Sequence, residues 1–246
     1  MKSFTSLSLA LLALLASVSS KNIQGAEKAV NFRHFNGYTG ASQTGVHYDF
    51  LTYNPDLNLI GLDNQIRSAC QTGIWMLYEN IDYNYLTSGA VCVQPAVGDC
   101  FDLSAACFGT VSSLRYAGSD DGLNDNFYNL YEGVSFQGLE YKGNNTSTDV
   151  GSLDEKVSSV ILSGTERWTF FTGPGFTGGS VCAIPDDQYI GSDGTILNFG
   201  LFETLNELSL FDGGIRSLIK GCFSDTVVSA KAVKAKRADQ AAARGL

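Results

Sequence analysis

One pattern of aromatic residues and glycine occurs four times in this chain, and that repetition constrains its fold more than any other feature. Arg167-Trp168-Thr169-Phe170-Phe171 followed by Gly175-Phe176-Thr177-Gly178 matches Asn31-Phe32-Arg33-His34-Phe35 followed by Gly37-Tyr38-Thr39-Gly40. Phe127-Tyr128-Asn129-Leu130-Tyr131-Glu132 with Phe136-Gln137-Gly138 is a third copy. Ile74-Trp75-Met76-Leu77-Tyr78-Glu79 with Tyr83 is a fourth, and in it Tyr85 falls where the glycine belongs. Each copy closes on an apolar residue, one further residue and a serine: Ile66-Arg67-Ser68, Val111-Ser112-Ser113, Val157-Ser158-Ser159 and Ile215-Arg216-Ser217. Trp75 and Trp168, Cys92 and Cys182, and Ser68 and Ser159 are each about 90 residues apart, so the copies also pair at a longer period. Units this short must pack on one another to bury their apolar faces, and the longer period groups them as two domains of two repeats.

Within the repeats, aromatic and polar residues alternate over the first strand and β-branched residues fill the last. This predicts four strands per repeat and two eight-stranded sandwiches. Glycine is abundant at 27 and proline scarce at 4, as short strands joined by turns require. The polar stretch at residues 117–126 reads as a linker between a first domain at 21–118 and a second at 126–222. Residues 1–20 read as a signal peptide: Lys2 precedes an apolar run from Leu7 to Ala16, and Val18 and Ser20 place small residues before a cut at Lys21. The run is too short to span a bilayer, so the mature chain is expected to be secreted and extracellular. Beyond Cys222 the pattern stops. Residues 223–246 form a basic Ala/Lys-rich tail, read as disordered rather than as an exposed helix. Lys234-Ala235-Lys236-Arg237 within it reads as a solvated charge run rather than a processing site.

The aromatic–x–Gly pattern followed by apolar–x–Ser resembles the Greek key motif of the βγ-crystallins. Four tandem copies over residues 27–222 resemble a secreted, two-domain βγ-crystallin-like protein. The resemblance implies an all-β fold of two Greek key β-sandwich domains in tandem and a structural rather than enzymatic role. The glycine (Gly40, Gly138, Gly178) would take a positive φ in a folded hairpin. The serine (Ser68, Ser113, Ser159, Ser217) would hydrogen-bond that hairpin's backbone, and Trp75 and Trp168 would fill equivalent core positions. Tyr85 implies a longer or shifted second hairpin. The wide spacing from Gly178 to Ser217 implies an inserted loop within residues 186–206.

Family members often bind calcium through a stretch reading Asn/Asp, Asn/Asp, two variable residues, Ser/Thr, Ser, so the resemblance implies weak calcium binding. Asp154-Glu155-Lys156-Val157-Ser158-Ser159 keeps its first acid and both serines, which makes Asp154, Glu155 and Ser158 the best candidate set, in the second domain. Phe108-Gly109-Thr110-Val111-Ser112-Ser113 keeps Ser112 without an acid and is a weaker second, drawing its charge from the loop between His34 and Tyr38. Asp63-Asn64-Gln65-Ile66-Arg67-Ser68 and Asp212-Gly213-Gly214-Ile215-Arg216-Ser217 carry arginine in the fifth place. A guanidinium donates hydrogen bonds and cannot ligate a cation, so both read as disabled.

The chain has 6 cysteines and none forms a CxxC pair, which favours disulfides over a zinc or thioredoxin site. Cys182 and Cys222, the two of the second domain, are expected to pair. Three connectivities are open for the first domain, with Cys70–Cys92 and Cys100–Cys107 preferred. Asn144-Asn145-Thr146-Ser147 holds two overlapping glycosylation acceptors, with Asn144 taken as the site. The only histidines, His34 and His47, lie near no nucleophile elbow, and Asp120-Asp121 and Asp186-Asp187 read as solvated turns, so no catalytic constellation emerges. The net charge of −9, with the basic residues of the tail set aside, leaves an acidic body. Such a body disfavours nucleic acid and anionic membrane and suits cations, and no segment is expected to insert in a membrane. The competing reading is a secreted module for defence, adhesion or glycan and protein recognition. It rests on Tyr189, Ile190, Ile196, Phe199 and Phe202 as an exposed patch, against the favoured expectation that they fold back onto the sheet.

Overall fold

Side chains alternate between core and surface along β1 (His34–Tyr38), the first strand of the first repeat, where Phe35 is fully buried. The computed structural model describes residues 33–245, so the expected signal peptide and its cleavage point lie outside the described residues, as do Asn31 and Phe32. The first half continues with β2 (His47–Phe50), β3 (Ser68–Tyr78), β4 (Val91–Asp102) and β5 (Ser113–Ala117). The second half carries β6 (Phe127–Tyr131), β7 (Glu140–Gly143), β8 (Ser159–Ser163), β9 (Trp168–Gly173), β10 (Thr177–Ile184), β11 (Asp187–Ile190), β12 (Ile196–Phe202) and β13 (Ser217–Lys220). A last strand, β14 (Val227–Ser229), leads into a helix at Ala230–Ala243. The architecture is all-β, as expected.

Repeats in each half exchange strands. In the second half the sheets run β11-β12-β8-β6-β7 and β13-β9-β10-β14. The fourth repeat contributes β12, which pairs with β8 of the third, Phe202 opposite Val160. The third repeat reciprocates through Ser147, bridged to Leu218 of β13. This crossing is the Greek key connection. The first half makes the same exchange with fused strands. β3 runs unbroken from Ser68, which ends the first repeat, to Tyr78 in the second. β4 pairs along all of it, from Val91 opposite Tyr78 to Asp102 opposite Ser68, with a register shift between Gln71 and Thr72. The return bridge joins Asn54 to Leu114.

A serine closes every hairpin in the same way. The Ser159 hydroxyl donates to Gly133 O at 2.6 Å and accepts from Phe136 N at 2.9 Å. Ser217 does so with Gly173 O and Phe176 N, Ser113 with Asn80 O and Tyr83 N, and Ser68 with Gly40 O and Gln43 N. All four serines are fully buried. The hairpins over them hold strained backbone: Gln43, Tyr83, Ser135 and Phe176 all have positive φ. This geometry corrects the alignment of the first repeat. Its glycine of positive φ is Gly45 (φ 82), not Gly40, and a Cβ there would meet Thr39 Oγ1 at 2.5 Å. Gly178 (φ 79) meets Thr172 Oγ1 at the same 2.5 Å, so Gly45 and Gly178 are equivalent. Gly40 instead supplies the carbonyl that Ser68 caps. In the second repeat three successive residues, Asp82, Tyr83 and Asn84, take positive φ, and Tyr85 returns to −63°, where a side chain is tolerated.

Trp75 and Trp168 are fully buried, and the corrected alignment places Phe35 and Tyr128 at the matching positions. The rings meet in pairs, Phe35 with Trp75 at 5.6 Å and Tyr128 with Trp168 at 5.0 Å. Each pair sits in the apolar core of its own half. A third cluster joins Ile74, Met76 and Tyr78 to Tyr131, Phe136 and Ile161 across the halves. Arg115, 2% exposed, lies among these rings. It donates to Tyr78 Oη at 2.9 Å, Phe136 O at 2.7 Å and Gly138 O at 2.9 Å, and stacks over Tyr83 and Tyr131. Burial opposes its charge, but Tyr78 and Glu140 more than offset that, and its pKa lies above the ordinary value. The stretch at 117–126 is built into this contact: Ser119 and Leu123 are buried, and Gly118 N donates to Asn129 Oδ1 at 2.9 Å.

Three expectations are corrected. The first-half disulfides are Cys70–Cys100 and Cys92–Cys107, not Cys70–Cys92 and Cys100–Cys107. The reason is register: Cys70 and Cys100 face each other across β3 and β4, whereas Cys92 stands opposite Leu77 near the far end of that ribbon. Cys182 is bonded to Cys222. The tail is ordered: β14 pairs parallel to β10, and Arg237 of the helix bonds Glu203, Glu207 and Leu201 O. Asp186 accepts from Lys231 N and Ser229 Oγ, so the acidic pair read as a solvated turn holds the helix start. The expected inserted loop is the hairpin of β11 and β12. Within it Phe199 and Phe202 are buried and Tyr189 is half-buried against the shared cluster, while Ile190 and Ile196 stay exposed.

Ser159→Ala leaves Gly133 O and Phe136 N without partners and should cost about 2–3 kcal/mol in urea unfolding. Arg115→Met leaves Gly138 O and the Tyr78 oxygen without a donor, while Phe136 O keeps the Tyr78 hydroxyl at 2.7 Å, and should cost about 3 kcal/mol in the same assay, well beyond the effect of Arg216→Met at the surface.

Candidate functional site

The closing stretch of each repeat runs beside its own hairpin and against the closing stretch of its neighbour. Ser112 N donates to Tyr78 O at 2.8 Å, Ser158 N to Tyr131 O at 2.8 Å, Arg216 N to Phe171 O at 2.9 Å and Arg67 N to Tyr38 O at 2.8 Å. Crossing bonds tie the partners: Asn64 N to Val111 O and Gly109 N to Ile66 O in the first half, Gly213 N to Val157 O in the second, each at 2.9 Å. A fifth residue therefore meets the acids of the neighbouring repeat rather than its own.

That crossing separates the residues singled out in the second half. Asp154 and Glu155 face Arg216. The guanidinium donates to Asp154 Oδ1 at 2.8 Å and Oδ2 at 2.7 Å and lies 2.9 Å from Glu155 Oε1. A bidentate clamp of this kind holds the cation-seeking oxygens with a cation of the chain's own. Asp154 and Glu155 thus do not stand free with Ser158, whose hydroxyl makes a long 3.5 Å bond to Lys156 O. The arginine in the fifth place does more than repel a metal, because it takes both acids. In the first half Arg67 lies over the ring of Phe108, 5.3 Å from its centroid.

Ser112 receives the better setting. It lines a cavity of about 300 Å³ with Asn58, Asp63, Glu79, Asn80 and Asp82. Asp63 comes from the first repeat, the others from the turn before it and the hairpin of the second. Asp63 Oδ2 accepts from Asn64 Nδ2 at 2.8 Å, while its buried Oδ1 has no partner. Glu79 Oε2 accepts from Ala90 N at 2.8 Å. Three carboxylates, two amides and a hydroxyl are the hard oxygen donors that calcium takes. Among the described residues no three His, Cys, Asp or Glu side chains already converge as a metal group, so hydroxyl, amide and backbone oxygens would have to complete the shell. The loop from His34 to Tyr38, expected to charge this site, is strand β1 and lines none of the cavity. Glu79 and Asp82 were missed in the sequence. The signal for Glu79 was present, because an acid follows the strand-ending tyrosine in both Tyr78-Glu79 and Tyr131-Glu132.

Asn144 is exposed just after β7, and Thr146 Oγ1 accepts from Lys220 N at 3.2 Å. No helix among the described residues is long and apolar enough to cross a membrane.

No protein-family model matches the chain, and no curated protein is similar to it. Solved structures are similar. Geodin, a βγ-crystallin from Geodia cydonium, superposes with a TM-score of 0.57 at 19% identity, covering 77% of this chain and 99% of that one. A βγ-crystallin from Ciona intestinalis matches at 22% identity and a TM-score of 0.30, over 38% of this chain and 98% of that one. Protein S, solved in complex with calcium, matches at 16% identity and a TM-score of 0.29, over 77% of this chain and 99% of that one. The superposition on Geodin shows that this chain has the βγ-crystallin fold.

The hydrogen bonds from Arg216 hold the Asp154 carboxyl below the usual carboxylate range. A carboxylate whose folded pKa is depressed stabilises the fold above its unfolded pKa of about 4, and that contribution is lost as pH falls through the folded value. In melts between pH 5 and 2, Asp154→Asn should lose less stability than the unchanged chain, and the two curves should converge at the acid end.

Proposed function

We propose that this chain is a secreted structural protein of the extracellular space, held rigid by three disulfides, that binds calcium weakly. The observation that carries the calcium reading is the Asp63 Oδ1 atom, buried without a partner beside a cavity whose wall includes the oxygens of Ser112, Glu79, Asp82, Asn58 and Asn80 together with Ile81, Leu86 and Thr87. A buried carboxylate oxygen left unpaired is costly, and a cation that shares it with neighbouring oxygens offsets that cost. The site therefore belongs to the first half, around Ser112, and not to Asp154, Glu155 and Ser158. Durability as the function is supported by the bonding of all six cysteines and by the third apolar cluster that joins the halves. A glycan on exposed Asn144 is part of this reading.

A recognition module is the second reading. Ile190 and Ile196 support it, since they face each other across β11 and β12 and are 63% and 41% exposed.

Calorimetry with calcium on the metal-free chain should give a saturable signal in the high micromolar to millimolar range, with a rise in melting temperature. Ser112→Arg should abolish both, while Ser158→Arg should leave both in place. Loss of the signal with Ser158→Arg alone would move the site to the second half, and no heat in the unchanged chain would end the calcium reading.

A further inference from the structure

Tyr85 stands where the other repeats carry Gly45, Gly138 and Gly178, and it opens onto a cavity that none of the preceding roles uses. The cavity, about 390 Å³, lies where the hairpin of the second repeat meets that of the third, and Asn84, Tyr85, Leu86, Glu132, Val134 and Gln137 line it. Its amides are already committed to the wall. Asn84 Nδ2 donates to Gln137 Oε1 at 3.0 Å, Gly89 N donates to the same oxygen at 3.2 Å, and Asn84 Oδ1 accepts from Asn80 N at 2.8 Å. Gly138 N donates to Tyr83 O at 2.9 Å and joins the two hairpins.

Glu132 is not committed in this way: its Oε2 is buried and has no partner. Across from it the Tyr85 residue is 46% exposed, with Leu86 at 84% and Val134 at 46% beside it. Carboxylate and ring converge over Gly138. A methyl group built there would lie 3.5 Å from Glu132 Oε2 and 3.6 Å from Tyr85 Cδ2, so the glycine leaves a methyl-sized gap between them. No lysine, arginine or histidine is among the lining residues.

An unpartnered carboxylate oxygen beside an aromatic ring, with aliphatic rims and with the nearby Arg115 guanidinium committed to Gly138 O and Phe136 O, has the chemistry of an organic ammonium site. The N–H would make a charge-assisted bond to Glu132 Oε2, the ring face would attract the same charge, and Leu86 and Val134 would cover the apolar body. The volume falls in the range of small-ligand pockets. One carboxylate supplies too few oxygens for calcium. A neutral polyol would leave the carboxylate's charge unmatched. We propose that this cavity binds a small arylalkylammonium ion through Glu132 and Tyr85. The proposal does not depend on the calcium site around Ser112.

The test is calorimetric titration of the full chain, calcium removed with a chelator, with 2-phenylethylamine and with its neutral isostere 2-phenylethanol. The amine should bind saturably and the alcohol at least tenfold more weakly. Glu132→Gln should lower amine affinity at least tenfold, with an unchanged melting temperature showing that the fold is intact. Tyr85→Gly, which restores the residue of the other repeats, should lower it several-fold. No saturable binding of the amine, equal binding of amine and alcohol, or full affinity in Glu132→Gln would each overturn the proposal.

Discussion

The fold depends on a buried hydroxyl that serves two backbone groups at once. Each hairpin between the first and second strands of a repeat folds over its sheet, and its inward carbonyl and amide would be stranded there without a partner. Ser68, Ser113, Ser159 and Ser217 satisfy both, as donor to the carbonyl and acceptor from the amide. The serine opens the last strand of its repeat, so the bond ties the beginning of each unit to its end. The positive φ values of the hairpins persist because this contact and the packing beneath it over-determine them. Strand exchange then makes the repeats inseparable in pairs, and Arg115 joins the pairs by bonding two carbonyls of the third repeat's hairpin from a strand of the second.

Much of this was legible in the sequence because its causes are local. The recurrence of aromatic–x–Gly and apolar–x–Ser reports hairpin and clamp directly. The first repeat misled because Gly40 and Gly45 both precede its serine at plausible spacing, and only the backbone shows which of them carries the positive φ. Disulfide partners are set by strand register, which one bulge between Gln71 and Thr72 alters and composition does not report. The tail looked unstructured because its helix has little apolar surface. What holds it is charge matched across distant sequence, Arg237 with Glu203 and Glu207, and Lys234 with Asp187.

The site was half legible for a similar reason. Reading each closing stretch by itself assigned acids and serine to one position, but the structure crosses the stretches, so an acid in one repeat answers to the fifth residue of the next. Asp154 therefore meets Arg216, and Ser112 gains Asp63 from the repeat before it. Arginine at two of the four positions brings a cation of the chain's own into these stretches, Arg216 onto Asp154 and Arg67 onto the ring of Phe108.

The short strand β14 lies along β10 and so covers the outer edge of a sheet whose opposite margin is β13. Uncovered, β10 would present a row of unpaired amides and carbonyls, a template on which another copy could add its own strand. The terminal segment thus acts as a guard against filament growth.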